Sequence, residues 1–442
     1  MLKTNRNREK LIQFSLIILT LIMIVVRFLL NEKGRVSPDS IRFFRTAEVF
    51  PIIDNTVTPL GYPLSLKSLS CIGIDAFWTS KIIGILAYLF IIGFAYKKRF
   101  YFKEILMISA LISYVSIYSY SMSETLILPF VFVFLYVCRN CIIGKYSLSK
   151  ALLYLSLLLI LLYNIRYSAL FFMGAVFLFG LLNRKRKYAK AFIFSGMIGI
   201  AFMILYKFLF IDVYNEKYVD QFLEIGLHPT SKLLVELFQG LTTSFNPFVH
   251  IANPGGGLIN FGIYGIGLFN ILLMIFLFIK TPLSETEKYF VFVGVVGIAC
   301  SYFIQYFYSV NALDYRLLTP FILSICMVYF KKLYQIFGKL TYGIPLLSLI
   351  TCFVFTWLSR GNYLENRKSI TQFLKDEHLE KGPITFYAPD EWDLDRVQIA
   401  ELISTVNPEV YMTFKPKDTL KPRTLTEYKV LRKIKIQTNK FQ

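Results

Sequence analysis

Residues 11–30 read Leu-Ile-Gln-Phe-Ser-Leu-Ile-Ile-Leu-Thr-Leu-Ile-Met-Ile-Val-Val-Arg-Phe-Leu-Leu, and this run decides the fold. A helix needs ~20 apolar residues to cross ~30 Å of hydrocarbon, and the run has that length. Lys3, Arg6, Arg8 and Lys10 precede it, and no small-residue cleavage site follows. The pattern predicts a retained anchor and not a removable signal peptide. Runs of similar length recur along the chain. Spans are expected near 11–30, 79–96, 104–121, 126–143, 148–164, 167–182, 191–211, 261–279, 289–308, 316–331 and 340–358, eleven in all. Backbone in lipid must satisfy its own hydrogen bonds, and sustained runs of this length fit helices and not barrel strands.

Composition agrees. The 442 residues are 55% hydrophobic and only 17% charged, against about 25% charged in soluble domains. That excludes a soluble or disordered chain. The net charge is +20, but the cations gather between apolar runs, as in Lys97-Lys98-Arg99, Arg184-Lys185-Arg186-Lys187 and Lys331-Lys332. This is the pattern of cytoplasmic loops facing anionic lipid, and no nucleic-acid-reading motif accompanies it, so no nucleic-acid partner is expected. Cys138-x-x-Cys141 lies at a membrane boundary with no second pair, which argues against a metal or redox site.

The positive-inside rule then puts the N-terminus in the cytoplasm. It places the long loops 31–78 and 212–260, together with the tail 359–442, outside. A bacterial inner (plasma) membrane is the expected location. The expected fold is an all-α polytopic membrane protein, residues 1–358, with a small extracytoplasmic α/β appendage, residues 359–442. In the appendage, Ile370–Leu379 and Val397–Val406 read as helices, Ile384–Tyr387 as a strand, and Val430–Ile436 as an edge strand. So small a unit is marginal alone and is expected to rest on the outer loops.

Ionisable groups near membrane depth are costly and point to function. Asp39 follows Ser37-Pro38, where Pro suits the first helical position and Ser the N-cap. Glu124 sits in a tight turn, Tyr120-Ser121-Met122-Ser123-Glu124-Thr125. Arg166 lies in another, Asn164-Ile165-Arg166-Tyr167; Lys207 lies near the end of a span, and Arg316 follows Asp314-Tyr315. Bland readings exist for each: a helix-start acid, a turn acid, snorkelling cations, an Asp314–Arg316 surface pair. All five nevertheless fall near the same membrane face, where carboxylates could meet a basic cluster suited to phosphate. Tyr62 stands in Pro59-Leu60-Gly61-Tyr62-Pro63, an abrupt turn before the chain re-enters the membrane.

The order of these motifs resembles the GT-C class of integral-membrane glycosyltransferases, which includes the aminoarabinose and protein O-mannosyl transferases. The matching elements are Asp39-x-x-x-Phe43-x-x-x-Ala47, Pro59-x-Gly61-Tyr62-Pro63, Ser123-Glu124-Thr125-Leu126, Arg166-Tyr167 and Arg316-Leu317-Leu318-Thr319-Pro320. The resemblance implies transfer of a sugar from a polyprenyl-phosphate carrier to a glycan, lipid or protein acceptor on the extracytoplasmic face. Asp39 would be the catalytic base, with Tyr62, Glu124, Arg166, Lys207 and Arg316 binding substrate. Many relatives carry two adjacent acids in the first loop, whereas Ser40 follows Asp39 here, so no metal ligand is assigned. No cofactor is implied beyond the pre-activated donor. Two other readings stay open. One is an O-antigen-type polysaccharide polymerase or ligase, which needs no acidic helix after the first span. The other is a lipid or glycan transporter or flippase, which predicts internal repeats and broken helices near the midplane.

Overall fold

The computed structural model describes residues 2–54, 56–70, 72–214, 230–251, 256–307, 312–390 and 393–436. Within these the chain is mostly helical. In chain order the helices are α1 (Leu2–Leu30), α2 (Pro38–Val49), α3 (Gly61–Ser70), α4 (Ala76–Lys98), α5 (Phe102–Ser109), α6 (Ile112–Tyr118), α7 (Ser123–Ile142), α8 (Leu148–Ile165), α9 (Leu170–Leu182) and α10 (Ala189–Tyr206). They continue as α11 (Thr230–Phe245), α12 (Leu258–Lys280), α13 (Glu285–Phe307), α14 (Tyr315–Phe337), α15 (Gly343–Leu358), α16 (Tyr363–Asp376), α17 (Leu394–Ser404) and α18 (Glu427–Leu431). The strands are β1 (Ile384–Tyr387), β2 (Val410–Thr413) and β3 (Thr424–Thr426).

Among the described residues, eight helical stretches are long and apolar enough to cross a membrane, so the chain is a polytopic helical membrane protein. The eleven expected spans resolve differently in two places. The run 104–121 is two short helices, α5 and α6, broken at Ala110–Leu111. The break is tolerated because it is buried against protein: the Ile112 amide donates to Ser348 Oγ at 2.8 Å, and that hydroxyl donates to Pro247 O. Irregular backbone at this depth survives only where protein satisfies its polar groups. The run 167–182 is helical over Tyr167–Leu182, a shorter apolar helix than the eight. The last two expected spans fall on α14 and α15, which a 3₁₀ turn over Gly338–Tyr342 separates within the apolar stretch Tyr315–Leu358.

Two apolar cores form. The larger fills the bundle. The smaller joins Phe43, Phe44 and Ala47 of α2 and Tyr62 and Leu66 of α3 to Ile370 and Phe373 of α16, Phe386 of β1 and Ile399 and Ile403 of α17. The first long loop and the C-terminal unit therefore share one interior, and neither buries its apolar face without the other. The C-terminal sheet is parallel in the order β2-β1-β3, with Ile384 opposite Val410 and Thr385 opposite Thr424. Residues 430–436 are not the edge strand their alternation suggests. Thr426 accepts a hydrogen bond from the Lys429 amide and starts α18, so Val430 buries itself as a helical residue.

Candidate functional site

The site is built where the first loop meets the ends of α7, α8 and α14. Ser37 and Ser40 cap α2 reciprocally: Ser37 Oγ accepts from the Ser40 amide at 3.4 Å, and Ser40 Oγ accepts from the Ser37 amide at 3.1 Å. This capping box fixes where α2 begins and puts Asp39 in its first turn. The Asp39 carboxylate is 43% exposed, 3.7 Å from Arg42 and 3.9 Å from Arg316.

Glu124 occupies the first turn of α7 and is 1% exposed. Its position is set by Lys81, a fully buried residue of α4. The Lys81 ammonium donates to Ser119 O (3.1 Å), Ser121 Oγ (2.8 Å) and Arg35 O (3.2 Å). One cation thus pins the turn before α7 to the first loop; Thr125 Oγ1 closes the turn by donating to Ile117 O and Tyr120 O.

Arg166 follows α8 in an extended backbone conformation. Its guanidinium meets Glu124 at 2.7 Å and donates from Nε to Ser168 Oγ at 3.0 Å. Arg316 is the second residue of α14. Asp314 does not pair with its side chain as the bland reading supposes. It caps the helix, accepting from the Arg316 and Leu317 amides at 3.0 and 3.2 Å. Burial holds the Asp314 carboxyl above its usual range despite the nearby Arg316. The Arg316 side chain is left to reach Glu124 at 3.5 Å and Asp39 at 3.9 Å. Asp39, Arg316, Glu124 and Arg166 therefore form a line of alternating charge.

Tyr62 lies beside this line, fully buried, edge-on to Phe43 with ring centroids 5.0 Å apart. Burial, then the charge of Glu124, pushes its phenol well up. The Pro-x-Gly-Tyr-Pro stretch does not lead straight back into the membrane; it opens α3. A Cβ at Gly61 would stand 2.5 Å from Asn164 O, so the glycine lets α3 rest on the end of α8. Lys207 is not brought to the line. It begins a π-helical turn, Lys207–Ile211, after α10 and pairs with Asp212 at 2.6 Å. The wider π winding brings positions five apart together.

Two neighbouring hollows share Arg35, Tyr120 and His250 in their walls, and the larger reaches Arg316. The larger, about 1270 Å³, is walled by Arg316, Tyr315, Asp314, Lys232, Glu236, Arg35, Tyr120 and His250, with Phe261 and Tyr264 on an apolar side. The smaller, about 280 Å³, is walled by Arg27, Lys33, Arg35, Tyr120 and His250 among others. Arg27, Arg35 and His250 escaped the sequence reading. Arg27 carried a usable signal, since it is the one charge inside the first apolar run. His250 carried none, as one of two histidines, with His228, in a long loop. Among the described residues, no group of three or more His, Cys, Asp or Glu is placed to hold a metal ion.

Fold and site together describe a polytopic helical membrane protein with an ionic line and a polar hollow at one end of its bundle. No protein-family model, curated protein or solved structure matches the chain.

Proposed function

We propose that the protein is a membrane glycosyltransferase that moves a sugar from a polyprenyl-phosphate carrier to an acceptor hydroxyl. The reading includes an extracytoplasmic site, a cytoplasmic N-terminus and a bacterial inner membrane. The observation that carries it is the 3.9 Å approach of Asp39 to Arg316, whose side chain also lines the large hollow. A partly exposed carboxylate next to a guanidinium is suited to general-base chemistry beside a developing phosphate charge.

In this mechanism Asp39 takes the proton of the acceptor hydroxyl as its oxygen attacks the anomeric carbon. The bond from that carbon to the phosphate oxygen breaks, and the electron pair leaves with the lipid phosphate. Arg316 faces the departing charge. Glu124 and Arg166 hold Arg316 in place and are positioning residues. Lys207, engaged with Asp212, has no part.

Comparing lipid extracts of cells with and without the gene tests the proposal. A polyprenyl-phosphate monosaccharide that accumulates in the deletion supports it and names the donor. An unchanged set of polyprenyl phosphates refutes it.

A further inference from the structure

The smaller hollow lies where α1 ends, between the first loop and residues 249–251. Arg27, Arg35 and His250 wall it, and each carries a buried nitrogen without a hydrogen-bond partner: Arg27 Nε, Arg35 Nε and His250 Nδ1. Arg27 and His250 are 6% and 4% exposed, so water does not readily satisfy them, and a buried donor left bare is destabilising. Neither guanidinium is ion-paired to a carboxylate among the described residues. Arg27 Nη1 donates to Thr356 Oγ1 at 3.1 Å, and an Arg35 Nη2 donates to Ser116 O at 3.0 Å. These bonds hold both guanidinium side chains in the wall of the hollow. Arg35 is further fixed over the Tyr120 ring at 4.3 Å.

His250 adds a neutral donor. Its ring packs on Tyr315 at 3.9 Å, and its Nε2 lies 3.5 Å from Ser116 Oγ. If that hydroxyl donates, the hydrogen on the ring is at Nδ1, which is buried and without a partner. Burial, then the charges of Arg27 and Arg35, hold the imidazole well below its usual range. With Lys33 at the mouth, three cations face a single lining carboxylate, Glu32. The volume of about 280 Å³ is several times the ~30 Å³ share of one water.

We propose that this hollow is a phosphate-binding site, taking the anionic head of a phosphate ester between Arg27, Arg35 and His250. Forked guanidiniums grip phosphate oxygens bidentately, and the neutral imidazole supplies one more hydrogen bond. The proposal does not rest on sugar transfer; a protein that only bound or moved an anionic lipid would use the same site.

The full chain in a sugar-based detergent, titrated calorimetrically with farnesyl phosphate, farnesol and inorganic phosphate, tests it. Farnesyl phosphate should bind at least tenfold more tightly than farnesol. Arg27→Gln and Arg35→Gln should each weaken it tenfold or more. If Arg27→Gln does not yield monodisperse protein, Lys33→Gln at the exposed mouth is read beside Arg35→Gln. Binding of inorganic phosphate as well shows that the head suffices; binding of farnesyl phosphate alone shows that the site takes a lipid-borne head. Either supports the proposal. No binding of any phosphate, or binding unchanged in these variants, overturns it.

Discussion

Replacing Glu124 by Gln removes the one carboxylate that faces both Arg166 and Arg316. Breaking a buried ion pair by deleting one partner costs about 3–5 kcal/mol when the remaining charge is sealed from water. Here the stranded guanidiniums are 15% and 24% exposed, so residual hydration lowers the expected cost to about 2–3 kcal/mol. Arg166→Gln alone strands Glu124, which is 1% exposed, and should cost at least as much. The double variant strands no carboxylate and one guanidinium fewer than Glu124→Gln alone. Its destabilisation should therefore fall short of the sum by about 1–3 kcal/mol. Reversible denaturation in mixed micelles, read by circular dichroism on all four proteins, closes the cycle. Additivity within about 0.5 kcal/mol would refute the claim that this pair is coupled through a dry contact.

Three further outcomes follow from other parts of the fold. Lys81→Met leaves the Arg35 and Ser119 carbonyls and the Ser121 hydroxyl without their shared donor, and should cost about 2–4 kcal/mol; limited proteolysis should then cut first between residues 31 and 37. Gly84→Ala puts a Cβ 1.9 Å from Tyr118 O, a backbone atom that cannot yield cheaply, and should lower the thermal midpoint by several degrees, while Gly93→Ala, with open space around it, should not. Glu401 in α17 has its carboxyl raised above the usual range by burial, against the lowering effect of Lys33. The folded state thus holds that proton more tightly than the unfolded state. Its contribution is full below the ordinary glutamate range and is lost as pH rises through the raised value. Glu401→Gln should flatten stability against pH over that window in a denaturation series.

Membrane character was plain from the sequence, because run length and low charge report burial in lipid without any partner. Where a helix breaks within an apolar run was not. At Ala110–Leu111 the hydropathy continues unbroken, and only Ser348, more than two hundred residues on, shows why the helix can stop there. That residues 359–442 are too small to stand alone was legible from their length, and they do rest on the first outer loop through the core that α2 and α3 share with α16 and α17; which side chains meet there is a contact between distant segments that no local pattern reports. Within the site, Asp39, Glu124, Arg166 and Arg316 were legible as costly charges on short turns, and the structure brings them together. Lys207 carried the same signal, yet its π turn gives it to Asp212. Lys81 and Arg27 sit inside apolar runs and look like snorkelling cations in sequence. Their roles depend on which carbonyls and hydroxyls the neighbouring helices present.

The central claim is that Asp39 acts as a base at a lipid-phosphate sugar. Purified wild-type protein in vesicles, given a labelled polyprenyl-phosphate sugar and a membrane-derived acceptor fraction, should move label from the donor lipid to the acceptor. Asp39→Asn should slow that transfer by roughly 100-fold or more while donor binding stays within about twofold. Transfer by Asp39→Asn at the wild-type rate would contradict the account.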